Sequence, residues 1–167
     1  KVYDDVKCTN IAIEGVIVRA RKWFNWESSI TNDQGYAQMS DNFSGNVSYS
    51  IAWERDDWDI RSGDYGQAFY NGPSIDYEWN LVIERESTSK NYLYAHIHRA
   101  CFTYWFENNN YGIKIPFHDS FLTKKVKILA HDEAGVSYSK LNSNEIILYR
   151  SQSEIVNISC SHIFHST

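Results

Sequence analysis

The sequence predicts a mostly β protein with a minor α+β part: an N-terminal antiparallel β-sandwich, then one long helix and short strands. Three observations lead there. Short runs of period-two alternation recur about every ten residues as far as residue 85, separated by clusters of Asn, Asp and Gly. One stretch after residue 86 switches to helical spacing. Aromatics reach 16%, with twelve Tyr, eight Phe and six Trp, an excess that suits half-buried strands and argues against disorder.

The elements follow in order. Residues 11–24 read as a strand, with Val16, Val18 and Ala20 on one face and Ile17, Arg19 and Arg21 on the other. Thr31 to Tyr36, through Asn32, Asp33 and Gly35, is a strong turn. A second turn, Asp41 to Asn46, precedes the clearest strand, in which Val47, Tyr49, Ile51 and Trp53 share a face. Gly63 and Gly66 punctuate the next stretch, and Asn71, Gly72 and Pro73 predict its closing turn. Tyr77, Trp79, Leu81 and Ile83 then predict a further strand. Past Glu86, Ser87, Thr88 and Ser89 offer helix caps, and Leu93, Ile97, Ala100, Cys101, Tyr104 and Trp105 form one helical stripe. Asn108 to Asn110 and Gly112 stop it. Short strands are expected at 111–115, 125–130, 145–149 and 154–159. The chain thus divides into a sandwich over 1–86 and a helix-plus-strands unit over 87–167.

A formal charge of −5 and a pI near 5.6 count against general nucleic-acid binding, which needs a basic face. The short basic run Arg19, Arg21 and Lys22 reads as a solvated strand face. No apolar run is long enough to span a membrane. The chain starts at Lys1 without a signal peptide, so a processed or trimmed product is expected. Cys8, Cys101 and Cys160 allow one disulfide at most and no CxxC metal site, and leave the compartment open.

Candidates for chemistry are few. His96 and His98 stand two apart on the predicted helix, so they point apart rather than at one ion. His162 and His165 are three apart and converge only if their segment is helical. All four are weak metal candidates, and no HExxH motif is present. Asp56, Asp57, Asp59 and Asp64 surround Gly63 but miss the spacing of a calcium loop, so a solvated turn is preferred. Serines lack a GxSxG elbow, and Cys101 lies on the apolar stripe, where a buried inert thiol is expected. Of the aromatics, Trp23, Phe24 and Trp26 cluster beside a loop, and Trp58, Tyr65, Phe69 and Tyr70 lie in the next irregular stretch. Rings at the end of a sandwich stack on sugars, grip a peptide or close the core. Trp23, Trp26, Trp58 and Tyr65 are therefore the candidate ligand-binding residues.

Residues 15–20 (Gly-Val-Ile-Val-Arg-Ala) followed by Thr31 to Tyr36 resemble the carboxypeptidase regulatory-like, or transthyretin-like, domain over about residues 11–85. Such domains show a G-V-x-V-x-A strand and then a T-D-x-x-G-x hairpin. The resemblance implies a seven-stranded sandwich that assists or binds and does not usually catalyse. More faintly, Ala95 to Ala100, Tyr104, and Lys127 to His131 resemble the region ahead of the zinc helix in secreted Bacteroidetes-type zincin metallopeptidases. That resemblance implies an HExxH helix, which residues 1–167 do not hold. Without it the chain has neither zinc ligands nor a general base, so zinc is expected only if the chain is part of a longer protein.

Three readings result. In the leading one the chain is a non-catalytic binding or accessory module of a secreted, periplasmic or cell-surface protein, with a protein or glycan ligand. The second is a carbohydrate-binding sandwich using the exposed Trp residues. The third is an enzyme: either a site built from His96, His98 and Asp57, or a metallopeptidase whose zinc helix lies outside this chain. A fragment ending before a core helix would expose apolar surface, which a homodimer would cover.

Overall fold

The computed structural model describes residues 1–40, 43–85, 90–107, 125–140 and 143–150. Strands dominate, with one α-helix among the described residues, as the alternation and the single stripe predict. In chain order these are β1 (Val2–Asp4), β2 (Thr9–Ile11), β3 (Ile17–Lys22), β4 (Asn25–Ile30), β5 (Val47–Ala52), β6 (Trp58–Ser62), β7 (Gly66–Gln67) and β8 (Phe69–Ile75). They are followed by α1 (Asn91–Phe102) with a π-helical turn (Thr103–Glu107), then β9 (Val126–His131), β10 (Tyr138–Lys140) and β11 (Glu145–Tyr149). The expected caps at 87–89, the helix stop at 108–112 and the strands at 111–115 and 154–159 lie outside the described residues.

β1 and β2 form a hairpin. An antiparallel sheet runs in the order β4-β3-β5-β8. Its inward face follows the predicted alternation: Ala20, Val47 and Ile51 are buried, while Arg21 and Ser48 face out. A second, mixed sheet runs β10-β11-β9-β6-β7, with β6, β9 and β11 mutually parallel. The two sheets meet at a corner. Trp53 N–H donates to Ala68 O, Ala68 N–H to Ile60 O and Ile60 N–H to Trp53 O, at 2.9–3.1 Å.

α1 places its stripe inside: Leu93, Ile97, Ala100 and Cys101 are buried, and Tyr104 and Trp105 continue it on the π turn. They join Trp53, Trp58, Ile60, Ile128 and Leu148 in one core. Residue 86 does not separate these packing units: β6, from before it, is hydrogen-bonded to β9, from after it. Polar groups also tie the β1–β2 hairpin to the helix. Arg99 pairs with Asp4 at 3.0 Å, and the Tyr92 hydroxyl donates to Asp5 at 2.8 Å. Among the described residues no helix is long and apolar enough to cross a membrane.

Three local expectations are corrected. Asn71, Gly72 and Pro73 do not close a turn but lie inside β8, opposite a register shift at Ser48/Ser50. β8 is an edge strand, where a missing N–H and a bulge are tolerated. A Cβ on Gly72 would stand 2.7 Å from the Trp79 indole, so glycine is what lets that ring lie on the strand. Second, 77–82 is not a strand, and only Ile83 makes a bridge, to Val2. The alternation there reflects rings folded back onto the sheet: Trp79 packs 5.6 Å from Tyr49 and 5.7 Å from Tyr70. Third, the strand expected over 11–24 is confined to Ile17–Lys22, with Ile11 in β2 and a tight hairpin after Lys22.

The turn at 31–36 forms as predicted. Gly35 adopts φ +78°, and the Asn32 side chain accepts from the Gln34 and Tyr36 N–H groups. Thr31 binds that turn to the start of β3: its hydroxyl donates to Ile13 O at 2.7 Å and accepts from Val16 N–H at 2.9 Å.

Candidate functional site

The β3–β4 hairpin carries the most exposed aromatic group in the described chain. Lys22 pairs with Asn25, leaving Trp23 and Phe24 as a two-residue loop. Such loops need positive φ and favour Gly, Asn or Asp. Here Trp23 takes the left-handed conformation, at φ +56°. For a non-glycine residue that costs about 1–2 kcal/mol. No burial offsets it: Trp23 is 81% exposed, Phe24 95% and Trp26 70%.

The ladder between β3 and β5 ends at Arg21–Ser48, so Lys22 to Asn25 stand beyond the last residue of β5 that pairs with β3. Lys22, Trp23, Phe24 and Asn25 line an open cleft of about 420 Å³ with Phe43 and Ser44. Arg21 Nε donates to Trp23 O at 3.3 Å, bracing the loop from within. Glu27, the first acid along β4, accepts from the Ser40 backbone N–H and hydroxyl. Arg19 is paired with Glu54 at 2.8 Å. Arg21 and Lys22 make no ion pair among the described residues, so the hairpin end has positive character.

Of the four aromatics singled out in the sequence, Trp23 and Trp26 share this hairpin. Tyr65, 93% exposed, is on the β6–β7 turn of the other sheet. Trp58 is corrected: it is fully buried, with its ring 5.4 Å from both His98 and Trp105. β6 is an interior strand packed against α1, so an aromatic at its start fills the core.

The polar candidates disperse. His96 and His98 present Nε2 to different carbonyls, Tyr3 O at 3.1 Å and Glu14 O at 3.0 Å. A carbonyl only accepts, so each ring carries its proton on Nε2. Burial lowers the pKa of both, and that of His98 falls to about 4. Asp57 sits in the β5–β6 turn, where its carbonyl accepts from Val126 N–H. These three do not form a catalytic group. Asp59 pairs with Arg61 at 2.6 Å, while Asp64 faces His131 at 3.6 Å, so the acidic cluster disperses too. Among the described residues no three His, Cys, Asp or Glu side chains converge to hold an ion. Cys8 is an exposed thiol and Cys101 a buried one, with no bond between them. His162, His165 and Cys160 lie outside the described residues.

No protein-family model, curated protein or solved structure matches the chain. Geometry and chemistry therefore carry the functional reading. Lys22, Phe43 and Ser44 were not singled out as site residues by sequence reasoning. The available signal was the pair Trp23–Phe24, where two adjacent aromatics break the strand alternation just before Asn25.

Proposed function

We propose that the chain is a non-catalytic binding or accessory module of a secreted, periplasmic or cell-surface protein, and that the β3–β4 hairpin is its contact surface. The observation that supports this most is Trp23, a bulky residue held at positive φ and left uncovered. Backbone strain that packing does not repay is a marker of functional sites. The resemblance of residues 11–85 to transthyretin-like domains agrees with a binding role.

Arrays of glycans and peptides probed with the wild type and with Trp23→Ala/Phe24→Ala test the proposal. Capture that the double substitution abolishes supports it. Capture that survives, or peptidase activity from this chain, overturns it.

A carbohydrate ligand is the second reading, favoured by Trp26 lying beside Arg21 on the outward face of the antiparallel sheet. Trp58→Ala does not probe it, because that ring belongs to the core. Trp26→Ala is the informative substitution, and unchanged glycan binding by it removes this reading. A metallopeptidase whose zinc helix lies outside residues 1–167 rests on the similarity of 95–100 and 127–131. These segments fall on α1 and β9 and share the core. Zinc content and peptidase activity measured on the protein from its native source test that third reading.

A further inference from the structure

The charge around the hairpin contrasts with that of the chain. The molecule carries −5, yet residues 15–26 hold Arg19, Arg21 and Lys22 and no acid. Glu54 takes up Arg19, which leaves two cations immediately behind the two most outward rings. Asp76, next after β8, lies at the same end of the sheet two strands away, since Val47 pairs with Ile75 there. The local excess is therefore positive but modest.

The shape of the tip narrows the choice of partner. Trp23 and Phe24 form the two-residue loop at the end of the hairpin, 81% and 95% exposed, beside the open cleft they line with Phe43 and Ser44. Phe24 is 95% exposed and has no polar edge, so it gains most from an apolar medium. Trp23 carries an indole N–H, the combination that favours a membrane–water interface. Lys22 and Arg21 sit one and two residues back from Trp23, at the depth of lipid phosphates when the tip enters about 5–10 Å.

We infer that the hairpin tip docks on the surface of an anionic lipid bilayer, inserting Trp23 and Phe24 while Arg21 and Lys22 meet the headgroups. The inference rests on the binding-module reading and names its partner. It is peripheral attachment and involves no spanning segment.

Flotation of the full chain tests it with two kinds of vesicle, phosphatidylcholine alone and phosphatidylcholine with about one-third phosphatidylglycerol. The expected result is binding to the anionic vesicles only, weakening as NaCl rises from about 0.1 to 0.5 M. Trp23→Ala/Phe24→Ala should lose more than about tenfold in affinity, and Arg21→Gln and Lys22→Gln about fivefold each. Brominated acyl chains should quench wild-type tryptophan emission more than that of Trp23→Phe. Unchanged circular dichroism would show that these exposed substitutions leave the fold intact. Failure to bind either vesicle, or binding that survives the double substitution, overturns the lipid assignment. The binding-module reading is then decided separately: array capture lost with Trp23→Ala/Phe24→Ala keeps it, and capture that survives removes it as well.

Discussion

His98 combines full burial with a titratable ring. It is packed near Trp53, Trp58 and Phe102, and its proton on Nε2 goes to Glu14 O. Burial pushes its pKa down to about 4; the Glu14 carbonyl opposes the shift and the Arg55 charge adds to it. The unfolded chain, titrating near 6.5, therefore binds the proton more readily than the folded one. The neutral ring's contribution to stability is fully present above pH 6.5 and is lost progressively as pH falls toward about 4. The expected loss is on the order of 3 kcal/mol. Urea midpoints of the wild type and of His98→Phe across that window check this: the wild type should fall more steeply. Trp58 is a second residue whose role is now definite. Trp58→Ala should cost about 3–5 kcal/mol by opening a cavity beside His98 and Trp105, read as a drop in thermal midpoint.

At the scale of elements, the β3–β4 hairpin sets stability against function. Trp23→Asn relieves the left-handed strain without losing buried surface, because asparagine tolerates that conformation. The expected gain is roughly 0.5–1 kcal/mol in chemical denaturation, together with loss of the binding the tip provides. Elements whose physics is local were the ones legible in the sequence. β3 and β5 announced themselves by alternation, α1 by its stripe, and the 31–36 turn by Asn32 and Gly35. The hairpin at Trp23–Phe24 was not legible, because its loop lacks the residues that normally mark one. Asn71 to Pro73 misled for the opposite reason, since a turn signal was used to bulge an edge strand. Trp79 misled as well, because a ring that covers a sheet repeats with the same period as a ring within one. As for the candidate site, its aromatics were visible, but the core position of Trp58 depends on β9 and α1, which no local pattern reveals.

Across the whole molecule, one core and one mixed sheet draw on both sides of residue 86. Unfolding followed by far-ultraviolet circular dichroism and by tryptophan fluorescence should therefore give coincident transitions. Two separated transitions would refute the shared core. The pairing of Trp58 with Val126 has a further consequence, in time rather than in energy. β6 leaves the ribosome about 70 residues ahead of its partner, an interval of roughly 4–14 s at ordinary rates of synthesis. Throughout it the edge of Trp58, Asp59 and Ile60 that β9 will occupy stays open. A nascent chain stalled before residue 126 therefore presents an aromatic strand edge to any chaperone, or to any neighbouring chain, that reaches it first.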